Sequence, residues 1–300
     1  MSLKLAAIDI GSNAIRFQVT NVINYDGQLS FKRLEYIRFP LRLGDDVFKN
    51  RLIGPEKEDR FFRLMNAFKL LIDLYEVDDY YACATSAMRE SKNGRTIVQK
   101  VEELLGLEIN IIDGNEEARF INNVLLKDLD HGTYLHIDVG GGSTELNIIH
   151  KRENVQSHSF KLGSVRTLEQ TTTQFETEKM VAWIHSNLKP EYGLIKAIGT
   201  GGNIQKLYEL SYKSTKDKIA DITSLEPTLA YLKTLSQDEK INKLRLNPDR
   251  ADVIVPAGNI YIGAMKAAKA RKILVPDIGL KDGIMHMLYE KHIPDALLGI

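Results

Sequence analysis

The sequence predicts an α/β protein made of two similar domains that face each other across a cleft. Strand-like and helix-like segments alternate along the chain, which is typical of sheets covered by helices. A hairpin pattern near the start also returns in the middle: residues 6–13 and 134–145 both read as an apolar strand, an aspartate, a β-branched residue and a glycine turn. The 300 residues suit two domains of the usual ~100–200 residues. We therefore expect domains at 1–125 and 126–300.

The elements of the first half follow from apolar periodicity and from turn residues. β-branched and aromatic residues favour strands on both sides of the first glycine turn. Behind Pro55, which suits a helix start, apolar residues recur at helical spacing. The predicted strands are 5–10, 15–22, 29–39, 80–84 and 109–113, and the predicted helices are 56–75, 96–105 and 115–126.

The second half repeats the opening and then alternates again. A strand from residue 134 leads into a glycine turn and a second apolar strand. A later strand, 195–198, runs into another glycine turn and a helix that contains Ile204, Leu207 and Leu210 at helical spacing. The remaining predicted helices are 177–188, 227–235, 238–244, 256–270 and 281–291, with one more strand at 272–275.

Composition restricts the class of protein. Forty basic residues balance forty acidic ones, so no net field attracts a nucleic acid polymer or an anionic membrane. The single cysteine, Cys83, cannot form an internal disulfide, which fits a reducing compartment. We find no signal-peptide pattern at the start and no apolar run near the ~20 residues that span a bilayer. The expectation is a cytoplasmic α/β protein without a membrane segment.

Three glycine turns are candidates for phosphate binding. A glycine turn after a strand can present several backbone N–H groups to one anion, because the missing Cβ permits close approach and positive φ. The third turn also lies just before a helix, whose first N–H groups favour phosphate. The alternative for each is an ordinary tight turn. The candidate residues are Gly11, Ser12 and Asn13, then Gly140, Gly141, Gly142, Ser143 and Thr144, then Gly201, Gly202 and Asn203.

Acidic residues next to these turns are candidates for holding a metal. Asp9 and Asp138 each stand two residues before a glycine, and Glu145 follows the second turn. A carboxylate beside a phosphate repels it unless a cation lies between them, and Mg²⁺ uses few protein carboxylates together with phosphate oxygens. The sequence therefore predicts a divalent cation, Mg²⁺ above all. The alternative is that each aspartate caps its own turn.

Two further features have functional and structural interpretations. Glu116 and Glu117 open a predicted helix, where the helix dipole alone favours acids. A carboxylate there can also take a proton from an attacking water.

Arg89 follows a strand and small polar residues, so its planar fork can clamp a phosphate, or it can form a surface ion pair.

These motifs together resemble the exopolyphosphatase and guanosine pentaphosphate phosphatase family. The resemblance runs in order from residue 6 to about 290, and further matching segments lie at 42–44, 162–166, 250–252 and 256–258. It implies two ribonuclease-H-like domains of the actin, sugar kinase and heat-shock-protein superfamily. It also implies hydrolysis of the terminal phosphoanhydride bond of a polyanionic substrate, inorganic polyphosphate or guanosine pentaphosphate, and a homodimer.

The resemblance further implies roles for single residues. Glu117 matches the catalytic base, Glu145 an acid that assists water activation or metal binding, and Asp138 a metal-linked aspartate. Arg89 and the three glycine turns match phosphate-contacting segments, and the last helix is expected to pack on the N-terminal domain. Two departures are Ala14, where relatives often have a hydroxyl, and residues 281–282, which read Lys-Asp where many have Arg-Glu.

Two rival functions stay open on the sequence alone. One is a small-molecule kinase of the same superfamily, which would use ATP and require a base for a substrate hydroxyl. The other is a sensor that binds an alarmone or polyphosphate without hydrolysing it. The acids at positions 117, 138 and 145 favour an enzyme over a sensor.

Overall fold

The computed structural model describes residues 2–169, 173–212 and 218–293, which form two compact units. The first unit contains the chain up to Val124 and the segment that begins at Leu280, and the second contains Leu125–Gly279. Each unit has its own sheet and its own helices. The predicted α/β class is confirmed.

The strands of the first sheet are β1 (Ser2–Ile10), β2 (Ile15–Tyr25), β3 (Gln28–Phe39), β4 (Asp79–Ala84) and β5 (Asn110–Ile111). Those of the second sheet are β6 (Thr133–Val139), β7 (Thr144–His150), β8 (Glu153–Phe160), β9 (Ile195–Thr200), β10 (Ile219–Asp221) and β11 (Lys272–Leu274). The spatial orders are β3-β2-β1-β4-β5 and β10-β11-β9-β6-β7-β8.

The helices that precede β6 in the chain are α1 (Leu43–Asn50), α2 (Pro55–Leu74), α3 (Ser86–Glu90), α4 (Gly94–Leu105) and α5 (Gly114–Asp128). Those that follow are α6 (Arg166–Glu169), α7 (Thr173–Asn187), α8 (Gly202–Ser211), α9 (Ile222–Thr234), α10 (Gln237–Asn242), α11 (Pro248–Ala251), α12 (Ile254–Ala267) and α13 (Leu280–Lys291). A short 3₁₀ turn lies at Pro190–Tyr192.

The two sheets share one topology around their first strand. β1 pairs antiparallel with β2 and parallel with β4, and β6 pairs antiparallel with β7 and parallel with β9. In both hairpins the aspartate stands one residue before the end of the first strand, where the glycine turn begins. The repeat seen in the sequence is therefore a repeat of structure.

Helices cover both faces of the first sheet. Phe68 of α2 stacks on Phe17 of β2, with ring centroids 4.7 Å apart. On the opposite face, Phe120 of α5 packs edge-on against Tyr81 of β4. Helix α13 packs on β1, β2 and β4. A Cβ at Gly283 would overlap the carbonyl oxygen of Phe120, so only glycine permits this approach of α13 to α5.

The second unit has a continuous apolar core around α12. This helix packs against β6 and against helices α7, α8 and α9, and its side chains are apolar almost all round. Tyr261, at its centre, is fully buried. A helix that is apolar on all sides belongs in the interior of a domain, which explains its position.

Some predicted elements differ from the structure. The helix expected at 227–235 begins at Ile222, because the Asp221 side chain accepts a hydrogen bond from the N–H of Thr223 and caps it; Pro227 lies inside the helix. Strand β8 is an edge strand with mostly exposed polar side chains, so it gave no apolar signal. Among the described residues, no helix combines the length and apolar character that crossing a bilayer requires.

Candidate active site

The first glycine turn connects β1 to β2 and is braced by its neighbours. The hydroxyl of Ser12, 2% exposed, lies 2.8 Å from the hydroxyl of Ser86 and accepts a bond from the N–H of Ala87 at 3.1 Å. These contacts tie the turn to the start of α3. Backbone N–H groups of Gly44 and Arg42 donate to the carbonyl oxygens of Ser12 and Asn13. The matching segments at 42–44 and 84–89 thus support the turn from behind.

Asp9 is neutralised within its own hairpin. It lies directly opposite Arg16 in the β1–β2 register, and an Nη1–Oδ2 ion pair of 2.8 Å joins the two side chains. Cys83 of β4 is the other cross-strand neighbour of Asp9. Burial, followed by the charges of Asp9, Glu117 and Glu116, raises the pKa of the Cys83 thiol well above its ordinary value. A protonated buried thiol is not a nucleophile.

The start of α5 assigns different environments to its two acids. Asp113 accepts bonds from the N–H groups of Asn115 and Glu116, and the Glu116 carboxylate accepts the N–H of Asp113 at 3.2 Å. This reciprocal arrangement is a capping box. Glu116 therefore has a structural role at the helix start, whereas Glu117 contributes its backbone N–H, which donates to the carbonyl oxygen of Asp113. The charge of Glu117 acts on Cys83, on the same sheet face as Asp9.

Arg89 lies in the last turn of α3 and donates a hydrogen bond to the backbone. Its Nη1 donates to the carbonyl oxygen of Ile112 at 2.6 Å, immediately before the Asp113 cap. The residue thereby connects α3 to the start of the helix that carries Glu117. The arginine is half-buried, and its guanidinium group carries five N–H donors, of which this bond uses one.

The second glycine turn, between β6 and β7, is braced through its carbonyl groups. Ser164 N–H donates to Gly140, and the N–H groups of Val165 and Arg166 donate to Gly141. The Arg166 side chain, 3% exposed, adds a bond from Nε to the carbonyl oxygen of Gly142 at 2.6 Å. The next two residues of the turn, Ser143 and Thr144, are buried. Because one loop takes up these carbonyl groups, the turn keeps a fixed shape.

Two carboxylates oppose each other beside this turn. Asp138 and Glu145 are direct partners in the β6–β7 register, and one oxygen of each lies within 4.8 Å of the other. Glu145 is buried and accepts a bond from the Ser159 hydroxyl at 2.8 Å. Like charges directly opposite on neighbouring strands repel. The pair therefore fits a divalent cation, whose preferred ligands are carboxylate oxygens.

The third glycine turn joins β9 to α8. Gly201 is the N-cap of α8 with φ +100°, a conformation that favours glycine. A Cβ on Gly201 would lie 3.3 Å from Oδ1 of Asp138, and one on Gly202 would lie 2.7 Å from Nη2 of Arg250. An acid, a cation and a helix N-terminus thus meet at one turn, which is an arrangement suited to a metal-bound phosphate.

The two hairpins are alike in backbone, but the residue that faces the aspartate carries the opposite charge in one and the same charge in the other. Asp9 faces the cation Arg16, whereas the equivalent Asp138 faces the anion Glu145. The first pair joins opposite charges in an ion pair, whereas the second brings two like charges together. The donor set that fits a metal is therefore Asp138 with Glu145.

Comparison with known proteins assigns the chain to a family. The sequence model of the Ppx/GppA phosphatase family matches residues 22–292, almost the whole chain. The chain belongs to the Ppx/GppA phosphatase family. The resemblance drawn from the motifs is confirmed.

Curated relatives of this Ppx/GppA chain are longer than it is. A bifunctional 3-dehydroquinate synthase/phosphatase of Fusobacterium nucleatum is 27% identical over 83% of this chain and 41% of its own length. A guanosine-5'-triphosphate,3'-diphosphate pyrophosphatase of Aliivibrio fischeri is 26% identical over 97% of this chain and 60% of its own length. The chain thus spans roughly half the length of these relatives.

Solved structures show the same fold. A Ppx/GppA family member of Aquifex aeolicus superposes with a TM-score of 0.76 at 24% identity, covering 98% of this chain and 100% of its own. An exopolyphosphatase of Cytophaga hutchinsonii gives a TM-score of 0.80 at 20% identity, covering 96% of this chain and 98% of its own.

The sequence pattern did not assign a specific role to three charged residues of this Ppx/GppA chain: Arg16, Glu116 and Arg250. Arg16 could have been found, because the β1–β2 hairpin register places it opposite Asp9. Glu116 could have been separated from Glu117 by the Asp-x-x-Glu spacing of a capping box, which begins at Asp113. Arg250 lies 48 residues from Gly202, and only the tertiary structure brings the two together.

Proposed function

We propose that this chain hydrolyses the terminal phosphoanhydride bond of a polyanionic phosphate and releases orthophosphate. The observation that carries the proposal is the opposed pair Asp138 and Glu145 at the edge of a braced glycine turn, in a member of a phosphatase family. Inorganic polyphosphate and guanosine pentaphosphate both present such a bond.

The glycine turns and the cations bind the substrate. Backbone N–H groups of the second glycine turn, other than that of Gly140, which donates to Ser143, and those at the N-terminus of α8 favour phosphate oxygens. Arg89 and Arg250 add planar forks of N–H donors. Phosphoryl transfer mainly requires positioning and stabilisation of charge, so this set of groups suits the reaction.

In the proposed reaction the metal site belongs to the second hairpin alone. Asp138 and Glu145 would hold Mg²⁺, which when bound would neutralise phosphate charge and polarise the phosphoryl group. Asp9, in its ion pair with Arg16, would keep the first turn in place and not serve as a ligand.

Glu117 is the general base of the proposal. Its carboxylate takes one proton from water while the water oxygen forms a bond to the terminal phosphorus and the bridging P–O bond breaks. The bond electrons leave with the shortened substrate. Glu116 cannot serve as well, because its carboxylate is engaged in the α5 capping box.

The test compares Glu117→Gln with Glu116→Gln, with phosphate release measured from each substrate with and without Mg²⁺. Removal of a general base should lower kcat by about 10²-fold or more. Glu116→Gln should stay within about threefold, because glutamine also serves in a capping box. A Glu117→Gln variant as fast as the wild type would refute the role of Glu117. Tight binding of substrate without any phosphate release by the wild type would instead favour the sensor function.

A further inference from the structure

A chain of hydrogen bonds, exposed at its outer end and buried from Asn147 inward, crosses the second sheet from its edge to the third glycine turn. Asn154 Nδ2 donates to the Ser157 hydroxyl, and that hydroxyl donates to Asn147 Oδ1, both at 2.7 Å. Asn147 Nδ2 lies 3.0 Å from His136 Nδ1, and His136 Nε2 lies 2.9 Å from Thr200 Oγ1. The chain thus passes through four neighbouring strands, β8, β7, β6 and β9.

The direction of these bonds fixes the state of the histidine. An amide nitrogen can only donate, so His136 Nδ1 accepts and Nε2 carries the hydrogen that is donated to Thr200. His136 is fully buried. A protonated ring has no acceptor nitrogen for the Asn147 amide, so the hydrogen bonds require the neutral ring in one tautomer. All donors point toward Thr200, an arrangement in which hydrogen bonds reinforce each other.

Thr200 is the residue through which this series of hydrogen bonds acts on the glycine turn. It is fully buried, it ends β9, and it directly precedes Gly201, the N-cap of α8. In the β6–β9 register it lies opposite Asp138. Its carbonyl oxygen accepts the hydroxyl hydrogen of Tyr261, and the Tyr261 oxygen accepts the Val139 N–H at 3.2 Å. The residue is therefore held through its side chain and through its backbone.

We infer that His136 is a positioning residue: by its bond to the Thr200 hydroxyl it sets the orientation of the Thr200–Gly201 peptide, and so of the N–H groups that receive phosphate at α8. This inference rests on the proposed phosphate-binding role of the turn. A merely structural network would need no particular endpoint, whereas this one ends one residue before the N-cap. His136 and Asn147 are direct cross-strand partners, so an apolar pair could fill the same space.

The deciding variant is His136→Val/Asn147→Val, which keeps the total side-chain volume nearly constant and suits strands. We expect it to fold, to raise the KM for polyphosphate about tenfold, and to change kcat about twofold or less, because binding is lost more than chemistry. In ¹⁵N-glycine spectra the amide signals of Gly201 and Gly202 should shift. A KM and glycine signals like those of the wild type would overturn the inference.

Two substitutions at position 200 test the inference even if the double variant does not fold. Thr200→Val removes the hydroxyl at nearly equal shape and should reproduce the rise in KM, whereas Thr200→Ser retains the hydroxyl and should stay close to wild type. Equal KM values in the two variants would refute the inference. If the wild type releases no phosphate from any phosphoanhydride, the proposed function fails. The glycine amide shifts then decide, without turnover, whether His136 positions the turn.

Discussion

Buried His136 should make the second unit sensitive to mild acid. Its side chain is fully buried, and burial lowers its pKa from 6.5 to about 3. Below pH 6.5 the unfolded chain therefore binds a proton that the folded chain excludes, until the pH approaches 3. Stability rises with pH wherever the unfolded state binds more protons, so this group destabilises the fold as the pH falls through that interval.

The magnitude follows from the size of the interval. Each pH unit between the two pKa values corresponds to about 1.4 kcal/mol. Between pH 7 and pH 5 the unfolded histidine becomes almost fully protonated, which costs the folded state about 2 kcal/mol. The measurement is urea unfolding at both pH values, followed by the fluorescence of Trp183, the single tryptophan of the chain and a residue of α7.

The His136→Val/Asn147→Val variant is the matched control, because it retains every other titrating group. The difference in unfolding free energy between pH 7 and pH 5 should be about 2 kcal/mol smaller in this variant than in the wild type. Equal pH dependence in both proteins would show that His136 is protonated in the folded state, or that it is already excluded from water in the unfolded chain, and would refute the reasoning.

Two further predictions follow from contacts in each unit. Asp138→Asn should weaken Mn²⁺ binding, measured by calorimetry, at least about tenfold. Asp9→Asn should change Mn²⁺ binding little, because Arg16 already pairs with Asp9. Equal losses in both variants would contradict the assignment of the metal to the second hairpin. Gly283→Ala should lower the unfolding free energy by about 1–3 kcal/mol, because the added methyl group overlaps the carbonyl oxygen of Phe120; unchanged stability would show that α13 shifts at no cost.

The capping box at α5 distinguishes two acids that the sequence analysis treated alike. The pair Glu116 and Glu117 looked symmetrical, as two acids at a helix start. In the structure the carboxylate of Glu116 completes the cap with Asp113, which is why the proposal assigns the general base to Glu117. The spacing that distinguishes them was present in the sequence, so this distinction could have been predicted.

The glycine turns show the opposite situation. Their positions after strands were predicted, but the way they are braced was not. Arg166 and Ser164 take up carbonyl groups of the second turn, and residues 42–44 back the first turn. These contacts join segments that lie 20 or more residues apart, and no local pattern encodes them. The homodimer, the cytoplasmic location and the preferred substrate stay predictions.

The sequence by itself determined the α/β class, the duplicated hairpin and the family, and it offered the acids at positions 9, 117, 138 and 145 as candidates whose roles stay predictions. Each of these depends on periodicity or on short motifs, which are properties of neighbouring residues. Only the tertiary structure decided that Asp9 faces a cation while Asp138 faces an anion, and that His136 reaches Thr200. The physical reason is that charge pairing and hydrogen bonding depend on strand register and helix packing, which bring together residues that are distant along the chain.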